Sequence, residues 1–424
     1  IVKVFIQALG NEAIERHYVL HYAASGGRVR VLEYLTSLAP NLDTEDEDGL
    51  TPLGTAVCDF KPRALRCLLV HGADIHAKDH KNKDFSYPHI AAEVNNVKAT
   101  EILIASGADV RARDDLGGTP LHVAAACGAM DVLKVLLEHG ADPYAETHTG
   151  FTVVHAAASN SRLSALQYLE ERGWTRDFEK EFRGEPQMTP LTLAAGSWEA
   201  CEAGLVQYLV DFQNRQRMNT SDSDPQLHGP SRTHTATRSE FQREYRSDAL
   251  LSAAECGHLD VVKYLCDNGA EIDMLARLGT AALMTASMYG HVDVVHYLLT
   301  ERSARIASRD YDGLTAFHIA VKHGRDDTVK LLIAHGALVD DRTKPVPANE
   351  AVPFPELVPI HFAAQSGHFN VLKTLIKHGA DLEIENADGL RTIQQVRSTE
   401  KGEICGAVGY LLSLGTVDEY SYCE

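Results

Sequence analysis

A helix–turn–helix cassette returns along this chain at intervals close to 33 residues, and that period constrains the fold more than any other feature. Its clearest copy is Gly118–Asp142, GTPLHVAAACGAMDVLKVLLEHGAD. Thr119 suits a helix N-cap, because its hydroxyl can accept from first-turn N–H groups. Pro120 follows at the first helical position, where its missing N–H costs nothing and its fixed φ suits the helix. Leu121 and Ala124–Ala126 give a short helix with a narrow apolar side, and Gly128 can adopt the left-handed conformation that stops it. Val132, Leu133, Val135, Leu136 and Leu137 give the second helix a wide apolar face, with Lys134 and Glu138 turned outward. Gly140 closes it.

The position held by Thr119 recurs at Tyr18, Thr51, Ser86, Thr152, Thr189, Asp248, Ala281, Thr315, Val358 and Arg391. The successive steps are 33, 35, 33, 33, 37, 59, 33, 34, 43 and 33, so six of ten fall at 33 or 34. Most units also end on a glycine stop, at Gly72, Gly107, Gly140, Gly269, Gly336 and Gly379. The cassette resembles the ankyrin repeat, whose signature is T-P-L-H-x-A. The resemblance covers roughly residues 1–415, about eleven repeats. It implies an all-α ankyrin-repeat solenoid of stacked helix-turn-helix units with short β-hairpin fingers. Each unit of such an array buries apolar surface only against its neighbours, so 424 residues do not require several globular domains. With helices about 8–10 Å apart, the stack would extend on the order of 100 Å with a long concave side.

The segments divide accordingly. Residues 1–17 begin IVKVFIQALG, which reads either as the second helix of a partial repeat or as an N-terminal cap. The first reading makes the chain a fragment of a larger protein. Residues 18–210 hold repeats 1–6. Residues 211–247 break the period with a polar insertion, six Arg against five acids, read as an exposed, mobile loop. Alternatives are a segment that orders on a partner, or a phosphorylation target at Ser221, Ser223, Thr233, Thr235 or Thr237. Residues 248–415 hold repeats 7–11, with a Pro-rich finger at 341–357. Residues 416–424 form an acidic tail.

Forty basic against 59 acidic residues leave a net charge of −19. Such a chain repels nucleic-acid phosphates and anionic membranes. No apolar run approaches the 18 or so residues of a membrane span. Eight cysteines without a C-x-x-C pair read as reduced thiols, which points to an intracellular location, cytoplasmic or nuclear. Of 21 histidines, 13 sit at fixed repeat positions. His21, His89, His122, His155, His318 and His361 hold the fourth signature place. His71, His139, His335 and His378 precede the second-helix stop, and His258, His291 and His368 follow the turn glycine. The resemblance implies that the signature histidine is structural, bonding near the turn and to the neighbouring repeat. Motifs for zinc hydrolases, phosphate-binding loops, serine hydrolases and EF-hands are absent from the sequence. The expectation is therefore no catalytic residue, no metal ligand set and no cofactor.

What remains is surface. In ankyrin proteins partners usually contact the finger tips and the residues just after the Ala-Ala of the first helix. Here the finger places include Glu47, Asp48, Lys83, Phe85, Leu116, Phe151, Leu278, Tyr311, Asp312 and Phe354. The first-helix places include Asp59, Glu93, Met288, Tyr289, Lys322, His323 and Gln365. Leu278, Met288, Tyr289 and Tyr311 are expected to cluster on consecutive units, with Lys322 and His323 at the rim. Alternatively the rings fold down over their own hairpins. The expected role is a monomeric scaffold that holds a partner protein, or a segment of its own parent chain, on the concave side. Two alternatives stand: a regulatory array in a multidomain signalling protein with its catalytic part elsewhere, and an unusual enzyme with its site beneath the 211–247 segment.

Overall fold

Thr-Pro at the start of a cassette and glycine at its turn produce two short helices where the pattern requires them. A computed structural model describes residues 18–38, 41–81, 83–182, 188–197, 203–219, 238–275, 279–343 and 357–386, with 389, 391 and 392. Thr51, Thr119, Thr152, Thr189 and Thr315 are all extended N-caps. The Thr51 hydroxyl accepts from the Gly54 N–H at 3.2 Å, as a cap should. At Thr119 the hydroxyl instead faces the ring of His122, 2.9 Å from Nδ1. That nitrogen also accepts from the Thr119 N–H, so the side chain three residues on completes a capping box.

The chain divides into two units, residues 1–209 and 210–424. In the first, paired helices are α1 (Val19–Ser25) and α2 (Val29–Thr36), α3 (Pro52–Cys58) and α4 (Pro62–Val70), α5 (Tyr87–Glu93) and α6 (Val97–Ala105). They continue as α7 (Pro120–Cys127) and α8 (Met130–Glu138), α9 (Val153–Ser159) and α10 (Leu163–Glu171), and α11 (Pro190–Ala195). Each of α1, α3, α5, α7 and α9 packs on its own second helix and on the next first helix, in a row that ends at α11. The second helices α2, α4, α6 and α8 pack in a parallel row. Leu20, Leu32, Leu53, Leu65, Leu68 and Leu103 belong to one continuous core that crosses the repeat boundaries. A repeat buries its apolar stripe only by leaning on a neighbour, and this continuity is the result.

Helix α12 (Ala203–Asn219) carries the chain into the second unit, which holds α13 (Arg238–Cys256) and α14 (Leu259–Asp267), α15 (Ala282–Tyr289) and α16 (Val292–Thr300). It continues with α17 (Ala316–Lys322) and α18 (Asp326–Ala334), then α19 (Pro359–Ser366) and α20 (Phe369–Lys377). The same two rows recur, α13, α15, α17, α19 and α14, α16, α18, α20.

The 211–247 segment corrects the sequence reading. It is not a loop at either end: residues 211–219 extend α12, and residues 238–247 form the first half of α13. Phe212, Gln213, Gln242, Arg246 and Ser247 are buried there. Arg246 donates to Gln213 Oε1 at 3.2 Å, to Asn214 Oδ1 at 2.8 Å and to the Asn268 carbonyl at 2.8 Å. Gln242 Nε2 donates to the Gln213 carbonyl at 3.3 Å. One guanidinium fork thus serves three acceptors, and polar side chains order each other without branched aliphatics. Residues 220–237, with all five suggested phosphorylation positions, lie outside the described residues. So do residues 1–17, most of the 341–357 finger, nearly all of the last repeat and the 416–424 tail.

The fingers are short. Lys78–Asp79 (β1) pairs antiparallel with Phe85–Ser86 (β2), and single bridges join Glu146 to Thr152 and Arg309 to Thr315. A carboxylate ties several of them: Asp46, Asp114 and Asp310 each accept two backbone N–H groups of their own turn. The acidic stretch at Asp43–Asp48 is therefore partly a framework device, not only a solvated face.

Candidate functional site

The signature histidines join one repeat to the next. His21 Nε2 lies 2.9 Å from the Leu50 carbonyl, His89 3.2 Å from that of Gly118, and His122 3.2 Å from that of Phe151. His155, His318 and His361 reach Lys180, Asp341 and Ile384 at 2.8–2.9 Å. In all but His21, whose buried Nδ1 has no hydrogen-bond partner among the described residues, only a neutral ring protonated at Nε2 satisfies both ends, donating across the junction while Nδ1 accepts from its own cap. Burial enforces that state and lowers the pKa of His89, His122, His155 and His318 to about 4. His71, His139, His335 and His378 use Nδ1 to bond the carbonyl four residues back, closing their helices. His291 and His368 donate to the Glu255 and Lys322 carbonyls of the preceding first helix, at 2.8 and 3.0 Å. These rings are framework, bonding either across a junction or to their own helix end.

The ends of two first helices in the second unit carry four of the side chains singled out by sequence, Met288, Tyr289, Lys322 and His323. Tyr289 ends α15 and is 37% exposed. Its hydroxyl donates to Glu255 at 2.8 Å, which raises the phenol's pKa, and its ring stacks on His291 with centroids 6.4 Å apart. Met288 is half-buried beside it, and its carbonyl accepts from Arg325 Nε at 2.9 Å. On the next repeat Lys322 is exposed and His323 half-buried. Burial first, then the charges of Lys322 and Arg325, hold His323 below the usual imidazole range. The structure thus gathers Met288, Tyr289, Lys322 and His323 on consecutive first-helix ends.

It does not bring the finger residues to the same place. Tyr311, 56% exposed, lies over Gly279, where a Cβ would meet its ring at 2.5 Å. Gly279 precedes α15 and Tyr289 ends it, so the two rings are separated by an eight-residue helix, about 10 Å long. Tyr311 and exposed Asp312 form a separate finger-tip patch. Leu278 and Phe354 lie outside the described residues. Two other finger aromatics turn inward: Phe85 is buried against His89 at 5.1 Å, and Phe151 packs on His155 and Phe182. An aromatic ring four residues before the signature histidine finds an apolar seat on that imidazole.

Comparison with known proteins follows this geometry. The family pattern described as "Ankyrin repeats (3 copies)" matches residues 88–181, 175–310, 250–343 and 309–386, more than half of the chain. The chain belongs to the ankyrin-repeat family. Ankyrin repeats are protein–protein interaction modules, generally without catalytic activity, and this chain is an all-α array of them. It is 32% identical over 105 residues to the human ankyrin repeat and KH domain-containing protein 1, covering 25% of this chain and 4% of that protein. Ankyrin repeat and SOCS box protein 11 of Danio rerio is 35% identical over 107 residues, 24% of this chain and 34% of that protein. E3 ubiquitin-protein ligase KEG of Arabidopsis thaliana is 29% identical over 104 residues, 24% of this chain and 6% of that protein. The chain therefore matches only a minor part of each of these relatives.

Within the ankyrin framework, two groups of residues escape a signature-based reading. Asn96 and Arg162 donate to the Val57 and Ala126 carbonyls at 2.8 and 2.9 Å, the same service that His291, Arg325 and His368 perform in the second unit. Their shared place, one residue past the turn, is the signal that unites them. Tyr22 and Phe60, on the first two repeats, are largely exposed. Among the described residues, no group of three His, Cys, Asp or Glu could hold a metal ion, and no helix is long and apolar enough to cross a membrane.

Proposed function

We propose that this chain is a binding scaffold that holds a protein partner, or a segment of its own parent chain, on the inner edge of its second unit. Met288, Tyr289, Lys322 and His323 are the contact residues, with Tyr311 and Asp312 as a separate finger-tip contact. The observation that carries this reading is Tyr289. Its ring is exposed yet fixed in advance by Glu255 and His291, so little side-chain freedom is lost on binding. A rigid aromatic with a neighbouring cation is the composition of a binding hot spot. The chain turns over no substrate in this proposal, which is supported by the use of its ordered signature histidines as repeat-to-repeat bonds. The test compares wild type with Met288→Ala plus Tyr289→Ala in quantitative capture of partners from cell extract, with circular dichroism as the fold control. The double variant should lose the captured set by tenfold or more. An unchanged set from a folded variant refutes the placement.

A second reading places the array as a regulatory part of an intracellular multidomain protein, cytoplasmic or nuclear, whose catalytic domain lies outside this chain. The relatives favour it, since two of their names join ankyrin repeats to a KH domain and to a SOCS box, and a third relative is named as a ubiquitin-protein ligase. In this layout residues 18–210 and 248–415 are the two runs of repeats, and the assembly unit is a monomer. The size of the native polypeptide and its transcript distinguish the readings.

A further inference from the structure

Three places in each repeat are sealed where another repeat precedes it. The residue after the cap is one: Tyr87 opens α5, and its hydroxyl meets that of Thr51 on the repeat before, at 2.8 Å. Pro52, Pro120 and Val153 hold the same place and are buried. The residue after the signature histidine is the second. Phe362 there packs edge-on against His318 of the repeat before, with centroids 6.0 Å apart. The third lies in the second helix, where Ala64, Ala99, Val132 and Ala165 are at most 2% exposed.

The first repeat holds Val19, Tyr22 and Val31 at these places, and all three are open. Val19 and Val31 are half-buried, and Tyr22 is 74% exposed. At the place of Tyr22 the next four repeats carry Thr55, Ile90, Val123 and Ala156, each half-buried or buried. Val19 and Tyr22 stand three residues apart on α1 and so share one face. The uncovered apolar surface is therefore the side of α1 and α2 that a neighbour covers in other repeats. The end of a repeat array needs a cap there, because each unit buries its stripe only against a neighbour.

We propose that residues 1–10 of this chain are the cover, docking across the end face formed by Val19, Tyr22 and Val31. Val2, Phe5, Ile6 and Leu9 recur at i, i+3, i+4 and i+7, the spacing of one helical stripe. Ten residues at helical rise span about 15 Å, enough to cross two helices packed about 8–10 Å apart. Residues 11–17 lead from this stripe into Tyr18 and reach up to about 25 Å when extended, so the segment can fold back. A tether this short holds it at roughly millimolar effective concentration, ahead of any free competitor. Exposed Arg30 and Glu33 flank Val31 with opposite signs, so apolar contact and the tether select the occupant rather than charge. The proposal stands apart from the scaffold reading, whose contact residues lie in the second unit.

The test introduces a photo-crosslinker into the full chain as Phe5→p-benzoylphenylalanine and maps the irradiated product by peptide mass spectrometry. Position 5 should join residues 18–38 of the same molecule, with a yield that does not change with protein concentration. Tyr22→Asp should lower that yield fivefold or more, whereas Leu116→Asp, at an exposed finger tip, should leave it unchanged. Cross-links to a second copy, to residues outside 18–38 or to nothing would overturn the proposal, as would an undiminished yield in Tyr22→Asp. A second measurement alters only the segment, so it decides the matter should Tyr22→Asp disturb α1 itself. Phe5→Asp plus Ile6→Asp should speed hydrogen–deuterium exchange of the α1 and α2 amides tenfold or more and leave α7 and α8 as they are. Unchanged exchange in α1 and α2 would show that residues 1–10 do not cover them.

Discussion

Mild acid should unfold the first unit, and the size of the effect follows from three buried imidazoles. His89, His122 and His155 titrate near 4 in the folded chain against 6.5 in the unfolded one. Their folded pKa is depressed, so their contribution is complete above 6.5 and is lost as pH falls toward 4. At pH 5 an unfolded ring is about 97% protonated and a folded one about 9%, which removes about 2 kcal/mol per ring. Three rings remove about 6 kcal/mol, comparable to the whole stability of many domains. Between those limits the slope is about 4 kcal/mol per pH unit for the three together. Burial raises the pKa of Asp177 and of half-buried Asp43, and these two work in the opposite direction as pH falls. Urea melts followed by circular dichroism at pH 7.5, 6.5, 5.5 and 5.0 measure the curve. His122→Gln should be less stable at neutral pH and shallower in slope by about 1.4 kcal/mol per unit. A stability that stays flat from pH 7.5 to 5.0, or a His122→Gln slope equal to wild type, would refute the neutral-ring junction.

Other outcomes are more local. Leu121→Ala should cost about 2–5 kcal/mol, since Leu121 has no exposed surface; calorimetry reads it directly. Arg246→Ala should destabilise the second unit by about 3 kcal/mol, because three acceptors lose one shared donor. Arg243→Ala, which removes only an exposed pair with Glu271, should cost less than about 1 kcal/mol, and equal losses for the two would contradict the buried network. Phe60 stands at φ 57°, so Phe60→Gly should stabilise by about 1 kcal/mol, a rise of a few degrees in a thermal melt.

The repeat period and the histidine bonds were legible in the sequence because both rest on local backbone demands. A cap, a turn and a junction each need a particular side chain at a fixed offset. The helices at 211–219 and 238–247 were not legible, because hydropathy weighs Arg246, Gln213 and Gln242 as solvent-seeking. Only their mutual geometry reveals that they satisfy one another. The contact surface was legible in part. Counting from the signature's Ala-Ala place, here Ala286 and Ser287, located the end of α15, but no offset tells that Tyr311 belongs to its opposite end. Phe85 and Phe151 were misplaced for a related reason: finger membership says nothing about which way a ring turns.

The histidine junction also bears on how such an array can change. His21, His89 and His122 each bridge 29 residues, whereas His155 spans 25 and His318 and His361 span 23. The bond survives because its acceptor is a main-chain carbonyl, which every amino acid supplies. Insertions and deletions in the fingers can therefore accumulate without unseating the seam between bricks. Evolution is free to rewrite the tips, where recognition happens, while the masonry behind them keeps its joints.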